Sequence, residues 1–211
     1  MELVAVDPEH PAEDVIARAA SVLNAGGLLI YPTDTLYALG GLARAPEAAR
    51  KVRAAKGRGE AKPLPLIAGS LEQARSLCAA WPPSASRLAG RFWPGPLSLV
   101  LPARPSVPVE VTSGTGTVAV RVPACELDRR LCAEAGPLIA TSANRAGQDA
   151  PRSCAEAVAV VGRWAALALD GGAGPAAAST LVDLTGEFPR LLRAGPVPWE
   201  DVLASLGARS C

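Results

Sequence analysis

Compact apolar runs closed off by glycine and proline alternate along this chain with alanine-rich segments of helical period. Leu28 to Tyr31, bounded by Gly27 and Pro32, is one such run and carries the mark of a buried strand. Further strand-like runs are Leu3 to Val6, Leu36 to Leu39, Leu64 to Ala68, Leu97 to Leu101, Thr117 to Val122, Pro137 to Ala140, Ala166 to Leu169, Thr180 to Leu184 and Arg190 to Arg193. The first helical segment is Pro11 to Asn24, with Pro11 in its first turn and Gly26-Gly27 ending it. Others are Pro46 to Ala55, Leu71 to Cys78, Ser84 to Arg91, Glu126 to Glu134 and Trp199 to Leu206, and the capping box Ser153/Glu156 opens one that runs to about Val161. No repeat or linker divides the series. The pattern predicts a single α/β domain over residues 1–211, with its core in about 10–195 and a closing helix and tail in 196–211. An open, twisted mixed sheet flanked by helices is the expected architecture. Pro102 to Gly116, rich in turn-formers, is expected to be a mobile flap.

Composition removes several classes of function. With 49% hydrophobic residues the chain can bury a substantial core, and a net charge of +1 argues against wholesale electrostatic binding of nucleic acid. The five cysteines lack CxxC spacing, and His10 is the only histidine, so no structural zinc site is expected. Free thiols without a signal peptide point to a cytoplasmic protein. There is no GxxxxGK[ST] and no GxGxxG. With one imidazole near the amino terminus, a Ser–His or Cys–His pair is not credible. Any chemistry must then rest on positioning and charge neutralisation. Asp34, Asp170 and Asp183 are the carboxylates near strand ends. They are too sparse for a metal cage, so Mg²⁺ is expected to arrive with a nucleotide, and no redox or organic cofactor is implied.

All three lysines, Lys51, Lys56 and Lys62, fall in one neighbourhood, around the turn Lys56-Gly57-Arg58-Gly59. Three cations fanned from a glycine turn suit a polyphosphate, since Lys is a point charge and Arg a planar fork. The segment alone equally fits a solvated helix end whose cations offset the macrodipole. Thr33, Thr35, Thr117, Ser142, Asn144 and Ser179 all sit at the ends of apolar strands, where α/β folds collect ligands. Each is also an ordinary turn former. Arg121 stands opposite Val118, Val120 and Val122, so it either reaches solvent or lines a cavity. In a cavity it would take a carboxylate or phosphate by bidentate contact.

These residues lie in an ordered set of motifs. Tyr31-Pro32-Thr33-Asp34-Thr35-Leu36-Tyr37-Ala38-Leu39-Gly40 resembles PT[DE]TxYGLG, and Lys56-Gly57-Arg58 with Lys62-Pro63-Leu64 resembles KGRxxxxPL. Trp93-Pro94-Gly95-Pro96-Leu97, Thr117 to Pro123, Ser142-Ala143-Asn144, Ser179 to Leu184 and Leu192 to Gly195 resemble WPGPxT, TVAVRxP, SAN, STVVDL and LRPG. Together they resemble the YrdC/Sua5 family, at a length that suits its single-domain YrdC type. The resemblance implies an open α/β fold around a deep, positively lined cavity. It also implies an L-threonylcarbamoyladenylate synthase, a nucleotidyltransferase that joins L-threonine, bicarbonate and ATP and releases pyrophosphate. Its product would serve threonylcarbamoylation of tRNA adenosine 37 through downstream transferase machinery. Thr35, Arg121 and Ser142 would face threonine. Lys56, Arg58, Lys62, Thr117, Asn144, Ser153 and Arg193 would face ATP, with Lys56 and Arg58 catalytic.

Departures from the pattern are Ala38 for Gly, Gly59 for Pro, Ile67 where some members have His, Ala176-Ala177-Ala178 without the common Glu, and Ala194 for Pro. The resemblance leaves open two other functions: an RNA-binding module holding tRNA or double-stranded RNA in the same cavity, and a YciO-like paralogue with another acceptor.

Overall fold

The computed structural model of the chain describes residues 1–57, 62–174 and 177–207. The first half holds β1 (Glu2–Ala5), α1 (Glu13–Asn24), β2 (Leu29–Pro32), β3 (Tyr37–Gly40), α2 (Pro46–Lys56), β4 (Leu66–Ile67), α3 (Leu71–Ser76), α4 (Pro83–Phe92), β5 (Leu97–Pro102) and α5 (Val109–Thr112). The second half adds β6 (Thr117–Arg121), α6 (Glu126–Ala135), β7 (Leu138–Ile139), β8 (Thr141–Ser142), α7 (Cys154–Val161), β9 (Leu167–Asp170), β10 (Thr180–Asp183), β11 (Arg190–Arg193) and α8 (Trp199–Leu206).

The expected mixed α/β fold is present, with its strands divided between two sheets. Among the described residues one sheet runs β1-β9-β2-β3-β8 and the other β11-β10-β5-β6-β4-β7, each mixing parallel and antiparallel pairs. The apolar run Pro137 to Ala140 explains the division. Leu138 and Ile139 pair with β4, whereas Thr141 and Ser142 pair with β3 in the other sheet. One short stretch therefore serves both sheets and changes sides at Ala140. Gly40 permits the close crossing: a Cβ there would stand 1.7 Å from the Ile139 carbonyl oxygen.

Burial follows the two periodicities. Helix α1 buries Ile16, Ala19, Ala20 and Leu23, an i, i+3, i+4, i+7 stripe that joins Leu127, Leu131 and Cys132 of α6 beneath Leu29 and Tyr31 of β2. Ile30 of β2 faces the opposite way, into the core between the sheets. Strand β2 is buried on both faces, which is why its sequence is continuously apolar.

Two local expectations are corrected. Helix α1 starts at Glu13 behind an extended Ala12, so Pro11 precedes the helix instead of opening it. The Pro11 carbonyl accepts a hydrogen bond from Arg130 Nη1 at 2.9 Å, which draws it out of the helical path. The stretch from Pro102 to Gly116 is fastened to the body instead of standing off it. Ala103 N–H donates to the Gly116 carbonyl and Leu64 N–H to the Val111 carbonyl, both at 2.8 Å, and Val107, Val111 and Thr112 are buried.

Candidate active site

Strand alternation builds the site. Leu97, Leu99 and Leu101 of β5, Val118 and Val120 of β6 and Val182 of β10 turn into the core. The residues between them turn the other way: Ser98 and Val100, Thr117 and Ala119, Leu181 and Asp183 line a cavity of about 660 Å³. Lys62, Thr115, Thr141, Thr185, Arg190, Leu192 and Arg193, with Pro63 and Pro65, complete its lining. A narrower recess of about 50 Å³ shares Pro65, Ser98 and Arg193 with it and is lined further by Thr33, Thr35, Ile67, Arg121 and Ser179. The two volumes suit a large and a small ligand held side by side.

In the recess, Arg121 is nearly buried, at 5% exposure, and takes the cavity-lining alternative left open by the sequence. Its Nη1 pairs with Asp34 Oδ1 at 2.5 Å and its Nη2 donates to Thr35 Oγ1 at 3.0 Å. The other Asp34 oxygen accepts from the Ala124 N–H, so this carboxylate is committed to orienting the guanidinium and not to a metal. Thr33 and Thr35 share a hydroxyl–hydroxyl bond of 3.0 Å, and Thr33 also caps the turn through the Leu36 carbonyl at 2.7 Å. The polar punctuation after β2 is thus an organised cup with Arg121 at its base.

Arg193 spans both spaces. Its Nε donates to the Ser179 carbonyl at 2.9 Å and its Nη2 to Ser179 Oγ at 3.1 Å, while Ser179 and Ser98 share a bond of 2.8 Å. Crowding by surrounding atoms, followed by the like charge of Arg121, lowers its guanidinium from the ordinary value. Two arginines this close favour an anion between them. On the wall of the larger cavity, Asp183 accepts from Thr185 N–H and Oγ1 and from Arg190. Burial pushes its carboxyl up, but those hydrogen bonds outweigh burial and hold it below the usual range. Among the described residues no group of three or more His, Cys, Asp or Glu could hold a metal ion.

Lys56 is placed differently from Lys62. Gly57, at φ 60°, ends α2 directly after it. The Lys56 side chain is 1% exposed, and its ammonium donates to the Ser142 carbonyl at 2.5 Å, the Asn144 carbonyl at 2.8 Å and Asn144 Oδ1 at 2.7 Å. Ser142 Oγ at 3.4 Å is a longer fourth acceptor, so all three ammonium protons are directed at protein oxygens. Its backbone carbonyl also accepts from Ala146 N–H. Lys56, Ser142 and Asn144 therefore form one cluster at the end of β8. Thr117 and Lys62 line the larger cavity, and Ser153 caps α7 by accepting from the Glu156 N–H. Arg58 lies outside the described residues, as do Gly59, Ala176 and Cys211. Ser98, Thr115, Thr141, Thr185 and Arg190 are lining residues that motif reading missed. Ser98 was within reach of it, because alternation through Leu97 to Leu101 puts it opposite the three leucines.

The fold and site define a mixed α/β protein with two adjoining anion-receptive spaces on one sheet face. Residues 21–195 match the Sua5/YciO/YrdC family model, whose description reads "Telomere recombination". The chain belongs to this family. A Bacillus subtilis threonylcarbamoyl-AMP synthase is 37% identical over 210 residues, covering 98% of this chain and 59% of its own length. A Mycobacterium tuberculosis relative, provisionally named for the same activity, is 38% identical over 95% of this chain and 93% of its own. The crystal structure of Pyrococcus abyssi Sua5 complexed with L-threonine superposes with a TM-score of 0.93 at 37% identity, covering 98% of this chain and 61% of that one. The chain thus spans about three fifths of the Bacillus and Pyrococcus proteins. Escherichia coli YciO shares the fold, with a TM-score of 0.86 at 23% identity. Among the described residues no helix is long and apolar enough to cross a membrane.

Proposed function

We propose that this chain is an L-threonylcarbamoyladenylate synthase, converting L-threonine, bicarbonate and ATP into threonylcarbamoyl-AMP and pyrophosphate. The observation that carries the reading is the Arg121–Thr35 pair at the base of a small recess, beside a larger cavity lined by Lys62, Arg190 and Arg193. Threonine takes the recess: its carboxylate meets the Arg121 fork, a charge-assisted contact, and its hydroxyl meets the Thr33–Thr35 hydroxyls. ATP takes the larger cavity, its phosphates near Lys62 and Arg193 and its ribose or base along Thr117 and the apolar Leu181 and Leu192. Ser142 and Asn144, held by Lys56, follow closely after Ala140 of the recess and Thr141 of the larger cavity, and are assigned to the threonine and ATP sides respectively. Arg58, two residues after Lys56 in sequence, keeps the ATP-facing role that the family resemblance implies.

The threonine amine attacks the bicarbonate carbon and water leaves, giving an N-carboxylate, one of whose oxygens forms a bond to the α-phosphorus of ATP. The bond from that phosphorus to the bridging oxygen breaks, and the electron pair leaves on pyrophosphate. No protein nucleophile is needed. The obstacle is an anion approaching a polyanion, and fixed cations lower it by neutralising charge that grows on the leaving group. Mg²⁺ would be carried by the phosphates as part of the nucleotide substrate. The product is proposed to supply tRNA adenosine 37 through a separate transferase.

Incubation of the protein with ATP, Mg²⁺, bicarbonate and each amino acid in turn, with mass detection of AMP conjugates, tests the reading. A conjugate formed with threonine alone is the expected result. No conjugate with any amino acid refutes it, and a conjugate with another amino acid reassigns the acceptor.

A further inference from the structure

Arg53 belongs to neither space, yet its fork joins two stretches that line the larger one. It lies on α2 one helical turn before Lys56 and is 6% exposed. Its Nε and Nη2 donate to the Glu110 carbonyl at 2.9 and 2.8 Å, its Nη2 reaches Ser113 Oγ at 2.5 Å, and its Nη1 donates to the Lys62 carbonyl at 3.2 Å. Ser113 closes α5 in the left-handed region at φ 54° and leads through Gly114 to Thr115 and Thr117, both cavity residues. Lys62 is the third. One side chain thus holds the backbone of Lys62 and the end of α5 at a fixed spacing. Backbone support beside it comes from the Leu64 N–H bond to the Val111 carbonyl.

We propose that Arg53 is a positioning residue for the nucleotide: it sets the distance between Lys62 and the Thr115–Thr117 strand entrance, and so the width of the space that receives ATP. This rests on the assignment of that cavity to ATP. A planar fork with five donors can address three acceptors in different directions at once, whereas a lysine at the same place keeps the charge and loses the fork. Threonine, held by Arg121 and Thr35, should not feel the change.

Calorimetric binding of a non-hydrolysable ATP analogue with Mg²⁺ to the full chain tests this, together with the threonine KM and thermal unfolding. Arg53→Ala is expected to weaken the analogue about tenfold and Arg53→Lys about threefold, with the threonine KM unchanged. In a Lys62→Ala background Arg53→Ala should cost clearly less than it does alone, because the two act in part through one contact. Should Arg53→Ala not fold, Arg53→Lys and Ser113→Gly carry the test; the latter removes one acceptor while suiting the positive φ, with an expected loss of about twofold. Unchanged analogue affinity with a lower unfolding temperature, a parallel loss for threonine, or full additivity with Lys62→Ala each overturn the role. A wild-type protein that binds no analogue overturns the ATP assignment itself, and the positioning role falls with it.

Discussion

Asp128 gives the sharpest test of how the core beneath Arg121 is charged. It is the third residue of α6, fully buried among Tyr31, Cys125 and Cys132, and neither carboxyl oxygen has a hydrogen-bond partner among the described residues. Burial drives its pKa well above the ordinary carboxylate value; Arg121 pulls it down, Asp34 pushes it up, and Arg129 and the Cys125 thiol pull it down more weakly. Desolvation wins because Arg121 already spends its charge on Asp34 at 2.5 Å. The folded protein therefore holds this proton more tightly than the unfolded chain does. Stability is at its fullest below the unfolded value, about 3.9, and is lost at about 1.4 kcal/mol per pH unit as pH rises towards the folded value. Asp128→Asn removes the titration and keeps the shape. A buried amide and a buried neutral acid each carry a desolvation cost of about 1–3 kcal/mol, so near pH 4 the two proteins should be closely matched. From pH 4 to pH 7 the variant should gain on the wild type, up to a ceiling of about 4 kcal/mol over three pH units. Urea unfolding followed by tryptophan fluorescence at intervals between pH 4.5 and 8 measures it, and the difference curve cancels every other titrating group. A flat difference, or a variant less stable than wild type at pH 7, refutes the reasoning and makes Asp128 an ionised partner of Arg121.

Three further outcomes follow from the same contacts. Lys56→Ala should lower turnover by on the order of 10²-fold in a pyrophosphate-release assay and also lower stability by about 1–3 kcal/mol, because the Ser142 and Asn144 oxygens lose their donor; near-normal turnover would remove Lys56 from the reaction. Arg121→Lys should raise the threonine KM about tenfold while leaving analogue affinity for the ATP cavity near wild type, because the guanidinium contact proposed for the threonine carboxylate is lost in the recess alone; equal losses for both substrates would place Arg121 elsewhere in the mechanism. Asp183, held below the usual carboxylate range, stabilises above its unfolded value and loses that contribution as pH falls, so Asp183→Asn should cost about 1 kcal/mol at pH 7, a cost that shrinks steadily as pH falls below the unfolded value in urea unfolding. A cost that does not change with pH would mark a packing effect.

Much of the architecture was legible because burial writes a period into the chain. The i, i+4 stripe of α1 and the unbroken apolar run of β2 each state which surface is covered. What stayed hidden depends on pairing over long sequence distance. The run Pro137 to Ala140 reads as one strand, and only the register against β4 and β3 reveals that it parts two sheets. Side-chain anchoring was equally invisible: Pro102 to Gly116 has the composition of a loose loop, and part of its fastening comes from Arg53 on a different element, beside backbone bonds to Gly116 and from Leu64. In the site, alternation put Arg121 on the face opposite the valines but left solvent and cavity both open, and only the fold resolves it into a cavity; Asp34, weighed from sequence as a metal carboxylate, is bound to that arginine.

Lys56 shows most clearly what position adds to a motif. Read from sequence it is one of three fanned cations; in the fold it is buried with its three protons spent on protein oxygens. Spent hydrogen bonds do not cancel a charge. At an effective dielectric near 20, a unit charge still acts on another at roughly 7 Å with about 2 kcal/mol. A cation fixed in advance by carbonyls needs no reorganisation when a polyanion arrives, which is the condition under which electrostatic catalysis is strongest. The same three bonds hold Ser142 and Asn144 in place. In the proposed reaction the two lysines would divide the work: Lys56 would supply a fixed field while holding Ser142 and Asn144, Lys62, exposed on the cavity wall, would contact the phosphates, and Arg53 ties the backbone of Lys62 to the helix that carries Lys56.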